Sequence, residues 1–429
     1  MDVESQALRG NSVVQRSWRP GKRLLIGLPI VLFVGGMVGL FLAAGPGGGH
    51  TAANRAQLKS ACGGLLPYGD LRSLVPDAVV GEVSQYGTVL EPGEESRSLV
   101  NCAVTWPGHG SVRVRAAALV SPMPMSVKVE DIMAGAEEES YEVPGVTGRA
   151  GEDGQAWIVA ECAGGLESQV RKVSQMYVTA DVDLSVSGKG KQGRDLMGFR
   201  TAVHVANGIT GRQKCGGSPL AEPTRIIDTY EADVTADPDG SNIRTVRVDE
   251  PGLDAKKCRG LGRRTGFPGN WTAVGDLQNS RLLNVCTATI LDRKDWTETD
   301  PMPRDAVTDV SAASWAGGVG RSAVEQYDYT GDSYGFQEGR RTKAISEGEP
   351  TELALWARST CAAGSTYHRV TVTMKTGTLD ERTLSEAQRT AYSHNARKLM
   401  DAYLTDPDGW PRQQRCHDSE MLGEVEGWQ

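Results

Sequence analysis

The first pattern along the chain is a run of 21 residues, Leu24 to Ala44, without a charged side chain. At about 1.5 Å of rise per residue, such a helix crosses a hydrocarbon core about 30 Å thick. Pro29 falls in its first turns, where a missing N–H costs little. Beyond the run the period changes. Leu99 to Trp106 and Ser111 to Val120 alternate apolar and polar positions around Pro107-Gly108-His109-Gly110, which predicts a β-hairpin. Ala156 to Cys162 and Gln175 to Leu184 predict two further strands. A short helical stretch is expected around Leu71 to Leu74. Leu196, Phe199, Val203 and Ala206 stand at helical spacing, which predicts a helix from Arg194 to Asn207.

The same order then recurs. Leu283 to Leu291 matches the first hairpin strand, with Asn284 near its cysteine as Asn101 is in the first copy. Glu352 to Thr360 and His368 to Lys375 match the later pair, and Asn242 to Val248 adds a strand. The last helix opens with a capping box, Thr383 and Glu386, and carries Leu384, Ala387, Ala391 and Leu399 as its apolar stripe. Trp157 precedes Cys162-Ala163-Gly164-Gly165 by the step that separates Trp356 from Cys361-Ala362-Ala363-Gly364. Arg200-Thr201-Ala202 and Arg389-Thr390-Ala391 follow, and Cys215 and Cys416 close the copies.

The expected architecture is therefore α+β. A single N-terminal transmembrane helix leads into two related disulfide-stapled domains, each an antiparallel sheet with flanking helices. The expected boundaries are a cytoplasmic tail at 1–23, the membrane helix at 24–44, a flexible spacer at 45–57, and repeats at 58–216 and 217–429. Ser121 to Gly151 and about Asp292 to Gly348 read as long irregular inserts, the kind of loop that carries specificity.

Charge sets the orientation. The tail holds Arg9, Arg16, Arg19, Lys22 and Arg23 against Asp2 and Glu4, so the positive-inside bias keeps it cytoplasmic and places the rest outside the cell membrane. The rival is a cleaved signal peptide ending at Leu42-Ala43-Ala44, although such apolar cores run only about 7–15 residues. Gly35 and Gly39 form a G-x-x-x-G pair, through which two copies could form a homodimer. The chain's net charge is −8 despite its basic tail, so the exported part is acidic and a poor partner for nucleic acid.

All eight cysteines lie beyond the apolar run, at Cys62, Cys102, Cys162, Cys215, Cys258, Cys286, Cys361 and Cys416. None forms a C-x-x-C pair, and an even number in an exported chain reads as disulfides. Four cysteines per repeat allow three connectivities. First-to-second and third-to-fourth pairing is expected: Cys62–Cys102, Cys162–Cys215, Cys258–Cys286 and Cys361–Cys416.

Candidate chemistry is sparse. Gly331-Asp332-Ser333-Tyr334-Gly335 fits the nucleophile-elbow spacing, but neither flank supplies the strand and helix that motif needs. His204 and His394 on the terminal helices fall out of register by one when the Arg-Thr-Ala triplets are aligned. The six histidines read as surface or packing residues. Asp237-Pro238-Asp239-Gly240 and Asp406-Pro407-Asp408-Gly409 read as turns rather than calcium loops. Met123, Met125 and Met133 read as packing, and Asn270-Trp271-Thr272 as a glycosylation acceptor if the host glycosylates. Trp157 and Trp356 are expected to pack against the neighbouring disulfides. No catalytic, cofactor or metal site is expected.

The Cys62-Gly63-Gly64 opening, the Asn101-Cys102 strand and the cysteine-closed terminal helix resemble exported single-pass membrane proteins of high-GC Gram-positive bacteria (actinobacteria). More faintly, they resemble the sensor ectodomains of bacterial receptor kinases. The resemblance implies disulfide-bonded α+β domains on the outer membrane face that meet a protein or small ligand. The expected function is a membrane-anchored extracytoplasmic binding protein, an accessory component of a cell-envelope or secretion assembly. The alternative is an envelope hydrolase or transferase.

Overall fold

The computed structural model describes residues 49–93, 98–119, 141–150, 155–166, 173–184, 191–228, 234–236, 242–246, 261, 271–274, 278–290, 307–329, 352–374 and 386–422. The chain divides into a unit from Met1 to Gly49, of which only Gly49 is described, and a unit from His50 to Gln429. The expected membrane helix and the Gly35/Gly39 pair lie outside the described residues. Among the described residues, no helix is long and apolar enough to cross a membrane.

The second unit is α+β, built on two antiparallel sheets. It opens with helix α1 (Thr51–Ser60), so the stretch expected as a spacer at 45–57 already contains helix. The Asp77 carboxylate accepts from both the backbone N–H and the hydroxyl of Thr51, which fastens the helix start. A 3-10 turn (Ala61–Gly64) and a short α2 (Tyr68–Leu71) follow. Buried Asn54 donates to Pro76 O at 2.8 Å and Val79 O at 2.7 Å, and its Oδ1 accepts from Gly81 N at 3.0 Å. One amide thereby satisfies three backbone groups of the loop that leads into the first sheet.

That sheet contains β1 (Glu82–Tyr86), β2 (Ser98–Trp106), β3 (Gly110–Ala118), β4 (Tyr141–Glu142), β5 (Thr147–Ala150), β6 (Gln155–Leu166), β7 (Val173–Leu184) and, after helix α3 (Lys191–Arg212), β8 (Ile227–Asp228). Their spatial order is β1-β2-β3-β7-β6-β5-β4-β8. Alternation decides the faces. Val100, Cys102, Val104 and Trp106 point with Val112, Val114 and Ala116 toward α3, which buries Phe199, Ala202, Val203, Ala206 and Ile209. The hairpin falls where the Pro-Gly-His-Gly stretch predicts it. Gly110 sits at φ +100°, and a Cβ there would lie 1.8 Å from Asp183 O, so only glycine lets β3 approach β7.

The second sheet contains β9 (Val234–Ala236), β10 (Asn242–Val246), β11 (Trp271–Val274), β12 (Gln278–Asn279), β13 (Leu283–Ile290), β14 (Val307–Ala316), β15 (Glu352–Cys361), β16 (Gly364–Met374) and β17 (His417–Leu422). Helices α4 (Gly318–Tyr329), α5 (Glu386–Thr405) and α6 (Trp410–Gln413) lie between them in the chain. The order is β17-β15-β16-β14-β13-β11-β10-β9, with β12 also on β13. The segment expected as an irregular insert at 292–348 contains β14, a strand in the middle of this sheet, and α4. Its alternation is masked by small residues, because Val307-Thr308-Asp309-Val310-Ser311-Ala312-Ala313-Ser314 offers little apolar contrast and a bulge separates Val307 from Asp309. The first expected insert likewise contains β4 and β5.

The faces turned away from α3 and α5 meet each other, giving the layers α3, first sheet, second sheet, α5. Between the sheets lie Trp157, Val159, Tyr177, Leu283, Val285, Trp315, Trp356 and Tyr367. The two halves thus keep a core each beneath their own helix and share a third. Gln175 ties them at the seam, where its buried Oε1 accepts from Val319 N at 3.1 Å.

Candidate functional site

Strand register brings together residues that are far apart in sequence. In the first sheet Val100, Ala116, Val178 and Ile158 form one rung across β2, β3, β7 and β6. In the second sheet Asn284, Ser314, His368 and Ala357 form a rung across β13, β14, β16 and β15, strands adjacent in the same order. The cysteines keep the correspondence. Cys102 and Cys286 stand two residues beyond Val100 and Asn284, and Cys162 and Cys361 stand four beyond Ile158 and Ala357. Three of four apolar positions in the first rung are therefore polar in the second. By the same register Ala160 becomes Ser359, while Tyr403 enters from α5.

These side chains form one buried chain of hydrogen bonds. Asn284 Nδ2 donates to Tyr403 Oη at 3.2 Å. The Tyr403 and Ser314 hydroxyls meet at 2.8 Å, and Ser314 Oγ reaches His368 Nδ1 at 2.7 Å. His368 Nε2 reaches Ser359 Oγ at 3.0 Å, and Ser359 meets Ser419 Oγ at 2.7 Å. With the Asn284 amide nitrogen toward Tyr403, every hydroxyl donates in one direction. The sequence runs Asn284, Tyr403, Ser314, His368, Ser359, Ser419, which puts the imidazole proton on Nε2. Burial holds the His368 imidazole down at about 3, so it is neutral. Burial pushes the Tyr403 phenol up, against the opposing pull of its bonds to Ser314 and Asn284. Asn284, Ser314 and His368 are wholly inaccessible and Ser359 is 2 % exposed, so the Ser314–His368 pair has no open surface.

The disulfides follow the expected pairing where they are described: Cys62–Cys102, Cys162–Cys215 and Cys361–Cys416. Cys286 is also disulfide-bonded, and its expected partner Cys258 lies outside the described residues. The two tryptophans do not pack as expected. Trp157 stacks on Tyr177 at 5.9 Å, and Trp356 leans on Trp315 at 5.7 Å with the Arg369 guanidinium over its ring. Five residues along a strand reverses the face, so Cys162 and Cys361 point away from them.

Asn101 and Asn284 are not equivalent. Asn101 binds Tyr86 Oη at 2.5 Å near the surface, whereas Asn284 faces the helix-side core. His204 and His394 are exposed. His417 meets Asp418 at 2.8 Å on open surface. Asp406 to Gly409 is a turn, closed by Gly409 N to Asp406 O at 3.0 Å and capped by Asp408 N to Asp406 Oδ1 at 3.1 Å. Ser333, the first Asp-Pro-Asp-Gly, the three methionines, Asn270 and Thr383 lie outside the described residues.

An open cleft of about 420 Å³ lies where the end of α3 meets the turn that leads into β13. Glu161, Asn207, Thr210, Lys214, Ser218 and Arg281 line it, and Arg281 pairs with Glu161 at 3.1 Å. No protein-family model matches the chain, and neither a curated protein nor a solved structure matches it.

Proposed function

We propose that this chain is a single-pass membrane protein whose exported part is a non-enzymatic binding module for a protein or small ligand. In this reading residues 24–44 anchor it, 1–23 stay in the cytoplasm, and it serves a cell-envelope or secretion assembly. The two sheets are taken as copies of one ancestral unit, a reading supported by their matching strand order and cysteine rungs. The observation that carries the functional reading is the closure of the Ser314–His368 network. The side chains most like a hydrolytic set are buried, while the cleft between the halves is open and mixes polar with apolar lining. The test is mild cross-linking of the full chain in native membranes. Reproducible cross-links from Lys214 or neighbouring cleft residues to one envelope component are expected. Loss of those links in Arg281→Glu supports the cleft as the contact, and links that ignore that change count against it.

A further inference from the structure

The Cys361–Cys416 disulfide differs from its counterpart in the first sheet. Cys162 and Cys215 are both fully buried, and the rung four residues before Cys162 carries Val178. Cys416 is half-buried, and the matching position is His368. Both sulfurs and an imidazole nitrogen of His368 lie within 4.8 Å of one another. A tetrahedral zinc ion bound at about 2.3 Å to sulfur and about 2.0 Å to nitrogen holds its donors roughly 3.5–3.8 Å apart, so the two bonded sulfurs must part on reduction while the imidazole nitrogen already lies within reach of both.

The other ring nitrogen is already held as in metal-bound histidines, whose free N–H is fixed by a second shell. His368 Nδ1 meets Ser314, which meets Tyr403, which meets Asn284. Asn284 Oδ1 is buried without a hydrogen-bond partner. If the amide turns over, Oδ1 accepts from Tyr403 and the whole chain reverses. Nδ1–H then donates to Ser314, and Nε2 loses its proton; its lone pair accepts from Ser359 at 3.0 Å, a bond that a cation replaces when Ser359 turns its hydroxyl back to Ser419. A network that runs either way suits a ligand that arrives and leaves.

We propose that, when the Cys361–Cys416 bridge is reduced, Cys361, Cys416 and His368 form a site for a thiophilic divalent cation of the zinc type. The reductant is a dithiol, which gives two electrons and two protons, cleaves the Sγ–Sγ bond to two thiols and becomes a disulfide itself. Each thiol releases its proton as the cation binds, and the imidazole stays neutral. Water completes the coordination, entering past Ser419 and Cys416, the exposed end of the network. The bridge and the metal are thus alternative staples for the same strand end.

The test uses the full chain, reduced with a small dithiol that is then removed under nitrogen, and titrated with Co2+ as the optical probe. One equivalent should bind, with a thiolate-to-cobalt charge-transfer band that Zn2+ abolishes. Alkylation mapping should find Cys361 and Cys416 open before Cys162 and Cys215. Ser314→Ala should weaken binding by about 10–100-fold. His368→Val, which installs the residue of the first sheet, should weaken it further, with unchanged near-ultraviolet tryptophan dichroism reporting the fold. A Cys162→Ala/Cys215→Ala protein should retain the band. Equal binding by the oxidised chain, binding unaffected by His368→Val and Ser314→Ala, no band after reduction, or prior opening of Cys162–Cys215 would each overturn the proposal.

Discussion

Replacing His368 by valine should remove a specific part of the protein's acid sensitivity. The folded state holds this imidazole at about 3, while a free histidine titrates near 6.5. The folded pKa is therefore depressed, and the unfolded chain takes a proton that the native state refuses. As pH falls below about 6.5 unfolding is favoured, and the loss continues until about 3. Each pH unit inside that window costs about 1.4 kcal/mol. Between about pH 7.5 and about pH 5 the loss from this one group is about 2 kcal/mol, a large share of a typical domain stability of about 5–15 kcal/mol. Valine fits, because Val178 fills the equivalent rung, and Ser314 and Ser359 keep Tyr403 and Ser419 as partners. The assay is urea unfolding with the bridges intact, in parallel buffers, followed by tryptophan fluorescence. Carboxylates act alike in both proteins, so the difference between the two stability curves isolates the histidine. The wild type should lose about 2 kcal/mol more than the variant over this range. Parallel curves would refute the reasoning, because they would mean the imidazole is protonated in the native state or reached by water.

Three other changes probe the scaffold. Trp356→Ala should cost about 3–5 kcal/mol by chemical denaturation, since it empties the core between the sheets beside Trp315. Gln175→Ala leaves Val319 N–H buried without its acceptor and should cost about 1–3 kcal/mol, with faster amide exchange in α4 than in α3. Removing the Cys162–Cys215 bridge by paired alanines should cost about 2–5 kcal/mol in the same assay, and a smaller loss would show that the helix-side core holds β6 to α3 unaided.

Much of the fold is legible in the sequence because β2 and much of β3 alternate buried and open positions, while β6 and β7 carry continuous apolar runs buried on both faces. Their ends fall within a few residues of the pattern. β14 is not legible, since alanine and serine fill its buried face and no apolar contrast marks it. The polar network is hidden for a different reason. Asn284, Ser314, Ser359, His368 and Tyr403 sit on five separate elements and meet only through strand register. A signal did exist: Ser314 and His368 interrupt the apolar face of strands whose first-sheet counterparts carry Ala116 and Val178. It becomes readable only once the pairing is known. The tryptophans show the converse. Their five-residue step to a cysteine looks like proximity in sequence, yet an odd step on a strand places the two side chains on opposite faces. The membrane helix expected at 24–44 lies outside the described residues and is read from hydropathy and charge alone.

In the function proposed above, the second sheet's buried serine–histidine set does no hydrolysis and the module binds rather than catalyses. The most direct measurement is turnover of a broad panel of ester, amide and glycoside substrates by the purified full chain, beside its Ser314→Ala variant. No turnover that depends on Ser314 is expected. Hydrolysis abolished by Ser314→Ala in a folded protein would contradict it, since the buried hydroxyl would then be a nucleophile reached by substrate.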